Sequence, residues 1–305
     1  MKAKVIKQSQ PLSPEAEIAL IRKKLKHFTT DRPVKYWLDT GSPRLNSIFG
    51  SKKYGIPYAK MIEISGFESQ GKTALVAKIS AISQRDGAIV IWVDLENSWD
   101  EDWFKALGLD TEKVYLFQPQ VGTFDGEKEQ RLQTAEELLE EVDELIRKKG
   151  TSDGRMCLVI DSIAALLTEE EAAAGIQNQN MRTKISLAPF LSRLLRRWVA
   201  VARNYNVMMF FVNQLRVAPN AFGNPEYTPG GNAVRLYASV RVRMRRKTKK
   251  ILKGGEAIGI KGMLINWKNK AGGESREGLR IGYKLYYEGR IKYVDEEAVQ
   301  NEGTE

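Results

Sequence analysis

The sequence is nearly without cysteine and histidine, and each scarcity closes off a chemistry. The one cysteine, Cys157, lies inside an apolar run. No disulfide can form within the chain, and a reducing cytoplasmic setting fits. The one histidine, His27, leaves no His-based metal centre, so zinc chemistry is set aside. No apolar run approaches the roughly 18–20 residues that a membrane-crossing helix needs. The opening MKAKVIKQSQPLSPEAE lacks the apolar stretch of a signal peptide. Internal repeats and low-complexity blocks are also missing.

What is present is enough for one large or two modest domains. The chain has 305 residues, 42% of them hydrophobic, which supports a sizeable core. Lysine and arginine number 48 against 38 acids, a formal charge of +10. That balance favours a polyanionic partner, although charge speaks to association rather than to fold.

Residues 1–12 are polar and basic. Ser13 can cap a helix whose first turn holds Pro14, and Ile18, Ile21, Leu25 and Phe28 recur at helical spacing opposite Arg22, Lys23, Lys24 and Lys26. This apolar stripe stands apart from the rest and needs a partner surface. After Pro33 comes an extended piece, Val34 to Leu38. From there strands and helices alternate. Strands are expected at Lys60–Ser65, Ala88–Asp94, Val114–Phe117, Met156–Asp161 and Val207–Asn213. Helices are expected from Lys72 to about Arg85, over Gln130–Lys149 and around Ile185–Asn204. Three or more strands follow Ala238. Apolar strands alternating with helices imply an α/β fold with a mainly parallel sheet covered on both faces, continued by antiparallel strands at its C-terminal end.

GFESQGKT, residues 66–73, fits the phosphate-loop pattern G-x-x-x-x-G-K-[ST] between an expected strand and an expected helix. The glycines let backbone N–H groups turn inward around phosphate oxygens. Lys72 supplies charge to the β and γ phosphates, and the Thr73 hydroxyl can ligate Mg²⁺. Asp161, ending the strand MCLVID, is placed to hold the metal with Thr73. Asp94-Leu95-Glu96 ends a neighbouring strand, which puts Glu96 in reach of the cleft as a general base. Gln214, ending VMMFFVNQ, can hydrogen-bond the γ-phosphate. For Glu96 or Gln214 alone a surface or loop-capping role is the better reading; their common position at strand carboxyl ends raises both for the site.

These motifs, in this order, resemble the RecA recombinase family. GFESQGKT resembles its phosphate loop, IWVDLENSWD its strand with the catalytic glutamate, and LVIDSIAAL its metal-acid strand. FFVNQLR with FGNPEYTPGGNAVRLYASVRVRMRR resembles its second DNA-binding loop and following strand. WKNK resembles a lysine pair that reaches the neighbouring subunit's nucleotide. The likeness runs from about Trp37 to about Gly289.

The resemblance implies a DNA-dependent ATPase that forms helical filaments on single-stranded DNA, with ATP and Mg²⁺ between subunits, and that pairs this strand with homologous duplex DNA in recombination and repair. It implies nucleotide contacts from Gly66, Glu68, Ser69, Gln70, Gly71, Lys72, Thr73 and Ala74, and adenine contacts from Asp100, Trp103 and Tyr286. Glu96 would activate water, Gln214 would couple γ-phosphate to DNA, and Lys268 and Lys270 would act in trans as arginine fingers do. The DNA surface would draw on Glu169–Arg182, including Met181 and Arg182, on Leu215–Gly231, and on Arg193, Arg216, Phe222, Gly230, Gly231 and Asn232. The run Arg241, Arg243, Arg245, Arg246, Lys247, Lys249 and Lys250 is expected to form a second site for duplex DNA. Alternation puts the first three arginines on one strand face, where like charges repel unless a polyanion lies near.

The expected organisation is an N-terminal docking arm over 1–36, an ATPase and DNA-binding core over 37–294 and a short acidic tail over 295–305, a short form without the C-terminal domain of the family's bacterial members. The family's basic positions before the lysine pair appear here as Met263 and Ile265. Two rival readings stay open: a ring-forming helicase on the same core, and an accessory protein that modulates a recombinase without strand exchange.

Overall fold

A computed structural model of the chain describes residues 13–16, 34–123, 130–151, 153–174, 186–217, 226–247, 250–271 and 277–300. The chain divides into two compact units, Met1–Lys35 and Tyr36–Glu305. In the first, Pro14–Ala16 is helical, and the remainder of the expected Ser13–Phe28 helix lies outside the described residues. The strands and the remaining described helices belong to the second unit.

Strands β1 (Trp37–Leu38) and β2 (Ile56–Pro57) pair antiparallel with each other. The last residues of the Val34–Leu38 piece therefore find their backbone partners inside this unit. Strand β3 (Met61–Gly66) leads into the phosphate loop and the helix Lys72–Arg85; β4 (Ile89–Asp94) and β5 (Val114–Phe117) follow. The short pair β6 (Val121–Gly122) and β7 (Arg131–Leu132) precedes the helix Ala135–Lys149. Then come β8 (Met156–Asp161), the helix Leu187–Asn204, β9 (Val207–Gln214), and the small antiparallel pair β10 (Arg216–Val217) and β11 (Glu226–Tyr227). After the helix Asn232–Tyr237 the chain ends in strands: β12 (Val240–Arg246), β13 (Ile251–Lys253), β14 (Glu256–Asn269), β15 (Arg280–Tyr286) and β16 (Ile291–Val294).

The central sheet runs β16-β15-β14-β12-β3-β9-β8-β4-β5, with β13 added on β14. From β12 to β5 the pairings are parallel. From β12 to β16 they are antiparallel. All six residues of β8 are buried, as are the first seven of β9, because helices cover both faces. Alternation sorts them. Met208, Phe210 and Val212 join Val90, Trp92 and Val159 under the helix Lys72–Arg85. Met209 and Phe211 join Ile91, Leu158 and Ile160 under the helices Ala135–Lys149 and Leu187–Asn204.

One boundary differs from the sequence expectation. The helix read from Gln130 begins at Ala135. Thr134 caps it, and its N3 residue Glu137 returns a bond to the Thr134 backbone, a complete capping box. Arg131 also ion-pairs with Glu137 at 2.6 Å. That bond, first among the causes, pulls the Glu137 carboxyl down to about 2. The residues read as an acidic tail begin with the helix Glu296–Gln300, whose Val299 is buried against Gly282 of β15. Among the described residues, no helix is long and apolar enough to cross a membrane.

Candidate nucleotide and DNA site

The parallel strands β3, β4, β8 and β9 all end at the same edge of the sheet, and Lys72, Glu96, Asp161 and Gln214 sit at or just beyond those ends. The loop after β3 turns on two left-handed residues, Ser69 (φ 55) and Gly71 (φ 82). A Cβ on Gly66 would lie 2.5 Å from Gln70 Oε1 and 3.0 Å from the Met244 carbonyl, so a larger residue must displace the Gln70 side chain and crowd β12. Gly71 stands at the N-cap of the helix Lys72–Arg85, and no side chain caps that end. Its first-turn N–H groups and the positive end of its dipole are thus open to an anion.

Lys72 is largely buried, and its Nζ donates to the Phe67 carbonyl at 2.8 Å. Burial lowers its pKa, against the pull of Asp161, Glu96 and Glu68. Thr73 Oγ1 donates to Asp161 Oδ2 at 2.6 Å. Burial pushes the Asp161 carboxyl up to about 6, opposed by the Thr73 hydrogen bond. Glu96 Oε1 accepts from Gln214 Nε2 at 2.9 Å and from Ser162 Oγ. Three strand ends, β4, β8 and β9, thereby meet on one carboxylate oxygen. Ser162 is the member that motif reading missed; it directly follows Asp161. Asp94 plays a different part. It accepts from Ser98 N–H and Trp99 N–H at 3.1 and 2.9 Å and from Gln118 Nε2 at 2.9 Å, which fixes the turn that carries Glu96.

A cleft of about 610 Å³ opens here, lined by Glu68 to Ala74, Glu96, Trp103, Asp161 and Gln214, and also by Arg246, Lys250, Ile260, Leu285 and Tyr287. A lysine at the base of a glycine loop, an uncapped helix start and a hydroxyl–carboxylate pair are the donor set of a magnesium–nucleotide complex. Among the described residues no cluster of three or more acidic, histidine or cysteine side chains could hold a metal by itself. Mg²⁺ bound through one carboxylate plus phosphate oxygens suits that composition.

The structure redistributes several of the other candidates. Asp100 caps the helix Glu101–Ala106 by accepting from Trp103 N–H at 2.9 Å, and it is not among the cleft-lining residues. Tyr286 is only 1% exposed and lies under the Arg290 guanidinium, 4.3 Å from its ring centre. Its half-exposed neighbour Tyr287, in the turn just after the strand, lines the cleft instead. Lys268 and Lys270 do not line this cleft. Lys268 Nζ donates to the Arg235 and Leu236 carbonyls at 2.7 and 3.2 Å, at the last turn of the helix Asn232–Tyr237.

The basic run departs furthest from expectation. Arg241 pairs with Glu63, which is fully buried, and Arg243, 2% exposed, pairs with Glu226. Both guanidiniums lie over the Trp267 ring, at 5.6 and 4.7 Å. Their repulsion is relieved by the chain's own carboxylates, so no polyanion is needed to explain them. Arg245 lies exposed, 3.6 Å from Glu226. Arg246, expected on the DNA surface, lines the cleft beside the phosphate loop.

Of the expected DNA residues, Met181, Arg182 and Phe222 lie outside the described residues. Arg216 is exposed on β10, paired with Tyr227 across the small hairpin. Arg193 lines a separate groove between the helices Ala135–Lys149 and Leu187–Asn204. Gly230 (φ 86) and Gly231 (φ 62) bring the start of the helix Asn232–Tyr237 against the helix Leu187–Asn204. Cβ atoms there would lie 2.7 Å from Leu191 and 2.9 Å from Ala188. Gly231 and Asn232 also line a cavity of about 450 Å³ with Tyr227, Arg241 and Trp267.

With this geometry, comparison with known proteins is informative. The family described as RecA N-terminal domain matches residues 27–278. The chain is 37% identical over 217 residues to Protein RecA of Acholeplasma laidlawii, covering 71% of this chain and 59% of that protein. It is 35% identical over 241 residues to Protein RecA of Thermus aquaticus, covering 79% and 64%. The chain thus spans about three-fifths of the length of these curated relatives. A crystal structure of the RadB recombinase superposes with a TM-score of 0.56 at 19% identity, covering 85% of this chain and 99% of that one, which supports the fold. The chain belongs to the RecA family, with a RecA-like α/β core.

Proposed function

We propose that this chain is a DNA-dependent ATPase that polymerises as a helical filament on single-stranded DNA and pairs it with homologous duplex DNA. The observation that carries the reading is the meeting of Lys72, the Thr73–Asp161 pair and the Glu96–Gln214–Ser162 cluster in one cleft at the carboxyl ends of four parallel strands. ATP binds with its phosphates on the Ser69–Thr73 backbone and the N-terminus of the helix Lys72–Arg85. Lys72 leaves the Phe67 carbonyl for a phosphate oxygen. Thr73 and Asp161 would hold Mg²⁺, which when bound would supply charge neutralisation at the phosphates. The Trp103 and Tyr287 rings flank the base. Glu96, held by Ser162, takes a proton from the attacking water.

Gln214 is the coupling element. Its amide donates to Glu96. A γ-phosphate offers it a more highly charged acceptor, which is the stronger partner. Moving to it shifts the start of β10, where Arg216 contacts DNA phosphates without regard to sequence. Lys268 and Lys270 complete the site of the adjacent subunit. This is consistent with their lying outside the cleft of their own chain.

Electron microscopy of the full chain with single-stranded DNA and a non-hydrolysable ATP analogue tests the reading. Helical filaments are expected, with ATP turnover rising when single-stranded DNA is added. Closed rings, or bare DNA with turnover indifferent to it, would overturn the filament.

A further inference from the structure

Arg246 presents a binding role that the basic run concealed. On β12 the side chains of Val240, Val242 and Met244 enter the core on the face of the helix Lys72–Arg85. By the same alternation Arg246 continues that face, not the one shared by Arg241, Arg243 and Arg245. It emerges at the strand end beside the phosphate loop. Its Nη1 donates to the Ser69 carbonyl at 3.3 Å, and it lines the nucleotide cleft together with Lys250. Arg241 and Arg243 are held by carboxylates, whereas the bond from Arg246 is to a neutral carbonyl and is long for N–H···O. A phosphate oxygen is a charged acceptor that fits a guanidinium two bonds at a time and displaces such a contact readily. The charge inventory agrees. The cleft holds Glu68, Glu96 and Asp161 against Lys72 when Arg246 and Lys250 are left out. A polyphosphate in an otherwise acidic cleft is favoured by further cations close by, beyond the helix N-terminus and a metal ion.

We infer that Arg246, with Lys250 beside it, is a phosphate-binding cation supplied by the same chain, gripping the nucleotide's phosphate chain beside the P-loop. The inference rests on the nucleotide-binding reading of the cleft. It separates this residue from the DNA surface.

Isothermal titration of the full chain with ATP, ADP and adenosine tests it, in wild type, Arg246→Met, Arg246→Lys and Lys72→Ala. Melting temperatures verify folding, and a single-stranded oligonucleotide titrated without nucleotide serves as the second ligand. Arg246→Met should weaken ATP and ADP about tenfold, the loss of one charge-assisted contact. Adenosine and oligonucleotide affinity should stay unchanged, and Arg246→Lys should fall between. Unchanged ATP and ADP affinity overturns the inference. So does equal weakening of adenosine, or lost oligonucleotide affinity with nucleotide affinity intact, which would return the arginine to DNA. If wild type binds no nucleotide and Lys72→Ala matches it, the nucleotide reading itself fails.

Discussion

Replacing Arg241 by methionine separates a structural role from a DNA-binding one. Glu63 is fully buried at the centre of β3, and its carboxylate is held by Arg241 and by Asn213 Nδ2 at 3.0 Å. The Asn213 amide also donates to the Pro229 carbonyl at 3.2 Å, which ties the network to the segment before Gly230. Arg241→Met leaves the Glu63 charge buried with one amide for company. Removing one partner of a buried pair costs roughly 3–5 kcal/mol, because the other charge stays desolvated. At about 2 °C per kcal/mol for a domain of this size, the melting temperature should fall by about 6–10 °C. Arg241→Met with Glu63→Leu removes both charges and should recover most of the loss. Thermal melts by circular dichroism, with oligonucleotide titrations on the same samples, provide the measurement. An unchanged melting temperature with weakened DNA binding would refute the pairing argument and place Arg241 on the DNA.

Three further outcomes rest on the same geometry. Glu96→Gln should lower the ATP turnover rate by about 10²–10⁴-fold while ATP affinity stays within about twofold, read by phosphate release and titration; a matching loss of affinity would make Glu96 a loop brace instead. Asp161, raised from 3.8 to about 6, lets the folded chain hold more protons than the unfolded chain between those values. Its contribution to stability therefore declines as pH rises from about 4 to about 6 and is flat above, whereas Mg²⁺-dependent ATP affinity strengthens as pH rises through about 6. Asp161→Asn should erase that step, and an unchanged pH profile would sink the assignment. Gly230→Ala meets both a positive φ of 86° and a Leu191 methyl at 2.7 Å, so the urea midpoint should drop by the equivalent of roughly 1–2 kcal/mol. No shift would mean that the glycine serves DNA approach alone.

The cleft was largely legible because its signals are local. A glycine loop between strand and helix, and acids at the ends of apolar strands, follow from spacing and from burial on both sheet faces. The start of the helix at Ala135 was also written locally, in Thr134 and Glu137, but helical periodicity running upstream masked it. Tyr286 and Tyr287 are adjacent in sequence, yet the first is buried and the second lines the cleft, a distinction set by where β15 ends.

The order of apolar strands, the phosphate loop and the acids at strand ends determined the α/β class and the family, since each requires only neighbours in sequence. Tertiary structure alone decided the fate of the basic run. Glu63 is 178 residues before Arg241, and the phosphate loop at Ser69 is 177 before Arg246. Parallel pairing of β12 on β3 brings both together. Whether a surface-like arginine meets a buried carboxylate, a nucleotide or DNA depends on what packs opposite it, and strand alternation within one segment carries no record of that.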